Sequence, residues 1–203
     1  MLMNFDLSSI LSALEAMSNW EIVAALLGVF YVILAAKESL WAWVFGFFST
    51  FIYTIIFWEG ALLSSSFLNF YYMVMAVYGY YSWKNVSEDK MLEIQTYSLS
   101  KHLKLIGIGV SMSLILGYLS TTYTDAKLAY MDAFVMVFSI ITTWLLTQKV
   151  LENWLYWIVI DSVAVVLYLN TGYLATVILF TIYIVLAVYA YGTWKKEFKG
   201  KSV

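Results

Sequence analysis

The chain has 203 residues, of which 63% are hydrophobic and only 12% charged, and its mean hydropathy is +0.82. Soluble domains are about one quarter charged, so this composition predicts a polytopic membrane protein. The net charge of −2 without any arginine excludes a basic nucleic-acid-binding surface, and the lack of cysteine excludes disulfides and thiol catalysis.

The chain begins with a mixed segment and continues with seven apolar runs. In residues 1–19, Leu7, Leu11 and Leu14 recur at helical spacing, which predicts a short amphipathic helix at the membrane interface. Each later run is long enough to cross a bilayer. The runs lie near residues 20–36, 40–58, 61–83, 103–120, 128–147, 153–170 and 172–194.

The connections between the runs are short, apart from the polar stretch between Lys84 and Lys101. His102, the only histidine, follows this stretch and is expected to be a solvated loop residue rather than a metal ligand. Seven spans would place ten of the 11 lysines on the side of the C-terminus and only Lys127 on the other side. The positive-inside rule therefore predicts an outside N-terminus and a cytoplasmic C-terminus.

The third and seventh runs end in similar segments 111 positions apart, residues 78–84 and 189–195. Tyr72 and Tyr183 match at the same offset, and an acid followed by two tryptophans opens both the second and the sixth run. This repeat predicts an all-α membrane protein with three spans, one linker span and three further spans, as parallel repeats of the SWEET type. The predicted divisions are an interfacial segment (1–19), a first repeat (20–84), a cytoplasmic loop with the linker helix (85–127), a second repeat (128–195) and a basic cytoplasmic tail (196–203).

Several residues that could bind a ligand lie in the sixth run. Trp154, Trp157 and Asp161 lie at i, i+3 and i+7 on one helix face, and Tyr168 returns to it. Asp161 lies nine residues beyond Glu152, which places it about 14 Å deep, near the middle of the hydrocarbon layer. An ionisable group there needs a partner. We interpret this face as a ligand site; the alternative is a structural carboxyl bonded to a neighbouring helix. The counterpart of Asp161 in the first repeat lies near Ser49.

The indole faces and the carboxylate suit a planar cationic or amine-bearing ring. The predicted substrate site comprises Trp154, Trp157, Asp161, Asn69, Tyr72, Tyr183 and Trp43. For some of these residues, and for others near them, a structural role is the alternative to ligand binding. Asn69 could form an interhelical hydrogen bond. Asp132 could cap a helix end near Asp125 or Lys127. Aromatic residues near span ends are expected to form an interface belt, namely Tyr80, Tyr81, Trp83 and Trp194.

These motifs resemble the PnuC family of bacterial vitamin transporters, over Gly28 to Trp194. The resemblance rests on the two tryptophans and the acid of the sixth run, together with Trp43-Val44-Phe45-Gly46, Tyr78-Gly79, Asp132-Ala133 and Ser139. It implies a three-plus-one-plus-three fold, facilitated diffusion with trapping of the substrate by a cytosolic kinase, and a multi-pass location in the bacterial inner membrane. It also implies that a homotrimer can form in the lipid. No cofactor, metal or nucleic-acid partner is expected.

Two positions bear on the substrate. The nicotinamide riboside branch of the family typically has Gln in place of Asn69 and often Asn in place of Asp161, and the segment around Asn69 looks more like the thiamine branch. We therefore predict uptake of a small planar cationic vitamin, with thiamine favoured and nicotinamide riboside as the alternative. A SWEET-like sugar carrier and a proton-coupled carrier that uses Asp161 stay open. An enzyme is not expected, because no span carries a histidine or cysteine, and a retinal protein would need a lysine between Gly172 and Trp194.

Overall fold

A computed structural model describes residues 7–60, 63–84, 92–124, 126 and 128–200. The described residues form eight α-helices and one isolated β-bridge. The helices are α1 (Leu7–Glu15), α2 (Asn19–Ala36), α3 (Trp41–Glu59), α4 (Leu63–Lys84), α5 (Leu99–Tyr123), α6 (Ala129–Thr147), α7 (Asn153–Thr171) and α8 (Leu174–Gly200). The prediction of an all-helical chain is thus confirmed for this part. Much of the predicted loop after α4, at 85–91, lies outside the described residues, as do 1–6 and 201–203.

Local sequence explains where several helices begin and end. Ser18 caps α2 through a hydrogen bond of 3.2 Å from the Glu21 N–H to its hydroxyl, and the Glu21 carboxylate accepts from the Ser18 N–H at 2.6 Å. Gly172 ends α7 in the left-handed conformation, with φ of 84°, which a residue without Cβ adopts without strain. The turn allows α8 to begin two residues later and to return antiparallel to α7.

Six of the described helices are long and apolar enough to cross a membrane: α2, α3, α5, α6, α7 and α8. The remaining predicted span is the third run, which forms α4. It is a continuous helix of 22 residues, which is about 33 Å long at 1.5 Å per residue. It is more polar than the others because it carries serines, an asparagine and several tyrosines. Its crossing of the membrane therefore stays a prediction.

The helices pack as two groups of three. In the first trio (α2, α3 and α4), α3 packs against both of the others, and in the second trio (α6, α7 and α8), α7 does the same. The trios meet through two contacts, α2 with α8 and α4 with α6. By backbone proximity, α5 packs only against α6, and α1 only against α8, among the described helices.

One end of the two trios carries most of the lysines. There α2 and α6 end, α3 and α7 begin, and α4 and α8 end, so that Lys37, Lys84, Lys149 and Lys195 lie at this end, which we call the lysine end. Residues 196–200 of the predicted tail continue α8. One prediction needs correction here. His102 lies in the first turn of α5, not in a solvated loop, with its Nδ1 3.0 Å from the Tyr156 hydroxyl and its Nε2 3.6 Å from the Glu152 carboxylate.

Candidate functional site

A cavity of about 280 Å³ lies between the two trios, and all six of their helices line it. Buried side chains, including Trp43 and Trp154, bound it toward the lysine end. Toward the opposite end its lining includes Asp132, which is exposed in the first turn of α6. The structure thus places Asp132 at the cavity rather than merely at a helix end; Asp125 and Lys127, the expected neighbours of a cap, lie outside the described residues.

All seven predicted site residues line this one cavity. They come from four helices of the two trios: Trp43 on α3, Asn69 and Tyr72 on α4, Trp154, Trp157 and Asp161 on α7, and Tyr183 on α8. Tyr168 joins them, as its place on the same α7 face predicts. The helical spacing of the sixth run was therefore sufficient to place Trp154, Trp157, Asp161 and Tyr168 on the inner face.

Asp161 is 3% exposed, deep in α7. Among the residues that the structure describes, none donates a hydrogen bond to its carboxylate or forms an ion pair with it. The alternative of a structural carboxyl bonded to a neighbouring helix finds no such bond within these residues. A buried carboxylate without a partner is costly, so a carboxylate that faces a cavity is a natural contact for a cationic or N–H-bearing ligand.

The two tryptophans of α7 differ in their surroundings. Trp154 is 2% exposed, and its ring packs edge-on against Trp194, with the centroids 5.4 Å apart. Trp157 is only half-buried, so part of its indole is open to a ligand in the cavity. The indole N–H groups of Trp154 and of Trp43 are both buried and have no acceptor among the described residues. An unpaired buried donor costs free energy unless a ligand or another conformation supplies an acceptor.

The polar groups of α4 and α8 complete the lining. The amide N–H of Asn69 donates to the backbone carbonyl of Ser65 at 2.9 Å, so the predicted alternative of an interhelical bond is wrong for this group. Tyr72 lines the cavity together with Ser139 of α6. On the other side, the Tyr183 hydroxyl lies so close to Gly28 that a Cβ atom there would collide with it. Gly28 therefore provides the space that the hydroxyl occupies.

Four tryptophans pack against one another in edge-to-face and tilted pairs at the lysine end of the cavity. This tryptophan cluster consists of Trp43, Trp83, Trp154 and Trp194, and the centroids of Trp43 and Trp83 lie 5.0 Å apart. Trp83 is 4% exposed and Trp194 is 0% exposed. The prediction that these two belong to an interface belt is wrong, because their rings pack between the trios instead of facing the lipid headgroups. Tyr81 is half exposed, as a residue of such a belt would be.

Three further residues shape the cavity and were not among the predicted site residues: Tyr31, Gly46 and Ser139. Tyr31 of α2 lines it, and its ring lies against Gly46 of α3, where a Cβ would come within 2.9 Å of the ring. Ser139 of α6 lines it as well. For Gly46 and Ser139 the repeat offers a signal, because Gly46 and Trp157, and likewise Gly28 and Ser139, are 111 positions apart. The charged residues in the described lining are Asp132 and Asp161 alone, so no cation there balances them.

The chain is similar to known proteins over most of its length. A family model described as "Nicotinamide mononucleotide transporter" matches residues 18–196. The chain belongs to this family. The chain is 27% identical over 181 residues to the nicotinamide riboside transporter PnuC of Escherichia coli (strain K12), covering 76% of each chain. It is 23% identical over 178 residues to the riboflavin/roseoflavin transporter RibM of Streptomyces davaonensis, covering 86% of this chain and 83% of RibM.

A solved structure, titled "Crystal structure of the Vitamin B3 transporter PnuC", has the same fold. The TM-score is 0.73, the identity is 19%, and the match covers 93% of this chain and 86% of the other. The predicted relation to the PnuC family is thus confirmed, and so is the prediction of a vitamin transporter, not an enzyme. With its candidate spans, the chain is a multi-pass protein of the bacterial inner membrane.

Proposed function

We propose that the chain carries a small, flat, cationic vitamin across the membrane by facilitated diffusion, with nicotinamide riboside as the first candidate. The observation that carries this proposal is the unpartnered, buried carboxylate of Asp161 in an aromatic cavity. Indole faces attract a flat cation, and the carboxylate complements its charge. The volume of about 280 Å³ is at the small end of ligand pockets, which suits a ligand of one or two rings.

The relatives shift the preference from thiamine to nicotinamide riboside. The expectation of thiamine used Asn69 and Asp161 as discriminators. One N–H of the Asn69 amide bonds within its own helix, so its second N–H and its carbonyl oxygen are left for a ligand, and these groups suit either vitamin. The E. coli relative is a nicotinamide riboside transporter by name. Thiamine stays the second candidate because it is also a flat aromatic cation.

The charges of the cavity argue against a phosphorylated substrate. The described lining contains two carboxylates, Asp132 and Asp161, and no lysine. A phosphate brought into this cavity would be repelled by like charges and would lose its hydration without a counterion. We therefore expect the nucleoside to bind and the corresponding mononucleotide to be rejected, although the description of the family names the mononucleotide.

We further propose that the two trios are parallel repeats joined by α5, in the three-plus-one-plus-three arrangement. Three observations support it. The repeat offset of 111 brings the first residue of α4 onto the first residue of α8 and aligns the starts of α2 and α3 with those of α6 and α7 to within one residue. The contacts between trios are symmetric, α2 with α8 and α4 with α6. A single inverting helix lets the second repeat begin on the same side as the first.

The lysine distribution supports a cytoplasmic lysine end. Because the chain has no cysteine, single cysteines report this orientation directly. We expect Thr122→Cys, exposed at the far end of α5, to react with an impermeant thiol reagent applied outside intact cells. Glu93→Cys, exposed between α4 and α5, should react only after permeabilisation. The reverse pattern would contradict the orientation.

Calorimetric titration of the purified chain tests the substrate. We expect nicotinamide riboside to bind, thiamine to bind more weakly, and nicotinamide mononucleotide not to bind. Uptake of the binding ligand into proteoliposomes, with protein-free liposomes as the control, should continue without a proton gradient and stop at equal concentrations on both sides. Accumulation that depends on a proton gradient would favour the proton-coupled alternative, and binding of riboflavin alone would overturn the proposal of a cationic ligand.

A further inference from the structure

Two charged residues meet where the two trios face each other at the lysine end. Glu38 lies between α2 and α3, Lys149 lies between α6 and α7, and they are 111 positions apart. They are therefore equivalent positions of the two repeats. The Lys149 ammonium donates to the Glu38 carboxylate at 2.5 Å. When equivalent residues of two repeats touch each other, the axis that relates the repeats passes between them.

Their backbones share an unusual conformation. Glu38 has φ of 52° and Lys149 has φ of 51°, and no other non-glycine residue in the described part of the chain has a positive φ. The left-handed conformation costs a residue with a Cβ on the order of 1–2 kcal/mol. Both interhelical loops thus hold the same strained turn, and each turn belongs to one trio and presents its charged side chain to the other trio.

Further bonds at the lysine end connect one trio to the other. The indole N–H of Trp83, on α4, donates to the Thr147 carbonyl of α6 at 3.2 Å. The indole N–H of Trp194, on α8, donates to the Ala35 carbonyl of α2 at 3.2 Å. The Lys149 ammonium lies 4.9 Å from the ring centroid of Trp83. The ion pair and the tryptophan cluster therefore form one layer between the cavity and the lysine end.

The segment 92–98, before α5, covers this layer from the outside. The Gln95 N–H donates to the Lys149 carbonyl at 3.0 Å, and the Leu151 N–H donates to the Gln95 carbonyl at 2.8 Å. Ile94 is buried and belongs to the same hydrophobic core as the tryptophan cluster. Part of the predicted linker thus binds the backbone on both sides of Val150, directly after the strained turn at Lys149.

We propose that the Glu38–Lys149 ion pair is the latch of a gate that closes the cavity toward the lysine end. The proposal rests on the proposed transport function, because a carrier must open its cavity to each side in turn. Opening at this end would separate the trios, and with them the two charged side chains and the two indole–carbonyl bonds.

A buried ion pair suits a reversible latch. Desolvation and the nearby Glu197 raise the pKa of Glu38 above its ordinary value, while Lys149 lowers it. Desolvation thus offsets much of the attraction between the two charges. Removing one partner would leave the other charge buried and unpaired, which is costly, whereas removing both is often nearly neutral. Single and double neutralisations should therefore behave differently, and the experiment uses this difference.

The test uses a single cysteine, Ala76→Cys, which lines the cavity on α4. Its rate of modification is measured in inside-out vesicles with an impermeant thiol reagent. We expect Glu38→Gln and Lys149→Met each to raise the rate at least fivefold, and the double variant to bring it back toward that of the parent. Lys84→Met, at an exposed lysine of the same end, serves as the control and should not change the rate.

A cross-link provides the second measurement, in case a single variant folds poorly. In Glu38→Cys/Lys149→Cys, a short bifunctional thiol reagent should abolish uptake into proteoliposomes without preventing ligand binding, and cleavage of the link should restore uptake. Undiminished uptake by the cross-linked protein, or equal modification rates in parent and single variants, would overturn the latch. The modification rates need no ligand, so a wrong substrate or a chain that does not transport would leave this test readable.

Discussion

Replacing Asp161 by asparagine should change both the affinity for the ligand and the stability of the protein. The change keeps the size and the planar shape of the side chain and removes its charge. A hydrogen bond to a charged partner contributes about 1.5–3 kcal/mol and a neutral one about 0.5–1.5 kcal/mol. The loss of a little over 1 kcal/mol corresponds to a Kd for nicotinamide riboside that is about tenfold higher. Titration calorimetry on the purified protein measures it.

The same substitution should stabilise the protein in the absence of ligand. Asp161 is 3% exposed and has no partner among the described residues, so its charge is desolvated without compensation. An asparagine removes this cost. A gain of only 1 kcal/mol would raise the apparent melting temperature by about 2–4 °C for a chain of this size. Weaker binding together with a higher melting temperature is the pattern expected of a functional residue that is held at a cost in stability.

A control and a clear refutation are available. Glu59→Gln removes an exposed carboxylate at the end of α3 and should change neither Kd nor melting temperature. If Asp161→Asn bound the ligand as tightly as the parent does, Asp161 would not contact it. If the variant instead melted at a lower temperature, the carboxylate would have a structural partner in the folded protein, and the argument from its isolation would be wrong.

Two further substitutions test the cavity walls. Gly79→Ala would bring a methyl group to 2.5 Å from the Trp43 ring and should destabilise the fold by about 1–3 kcal/mol, measured by thermal melting, whereas Gly192→Ala meets open space and should be neutral. Trp157→Leu should weaken binding of a cationic ligand by about 5- to 30-fold in the same calorimetric assay, from the loss of 1–2 kcal/mol of cation–π attraction. Trp41→Leu, at a largely exposed tryptophan, should leave the Kd unchanged, and equal effects of both would contradict the role of Trp157.

The sequence was sufficient to locate the helices and the inner face of α7. Apolar runs of about 20 residues have few alternatives to a helix in a membrane. A span that must place an acid in the bilayer core must also turn it inward, so Asp161 and the residues one and two turns before it were predictable. The cavity then brings Asn69, Tyr72 and Tyr183 to the same space from other helices, where periodicity alone could not have paired them.

The errors have a common physical origin. Trp83 and Trp194 lie at span ends, where composition alone predicts contact with lipid headgroups. Their burial depends on a partner helix of the other trio, and a hydropathy pattern carries no information about such contacts. His102 was expected in a solvated loop for the same reason. Its contact with Tyr156 of α7 follows from how the segment before α5 crosses the lysine end.

The two repeats differ where the ligand is expected and share the tryptophan cluster where the gate is proposed, and its latch pairs a glutamate with a lysine at equivalent positions. At the offset of 111, the tryptophan cluster consists of two equivalent pairs, but Trp157 corresponds to Gly46 and Asp161 to Thr50. A gate that opens by separating two similar trios works best when both contribute the same contacts. A vitamin without two-fold symmetry needs its charge recognised on one side only, and a second carboxylate at Thr50 would repel the first. The sequence divergence within the cavity is therefore what we expect of a symmetric scaffold that binds an asymmetric cation.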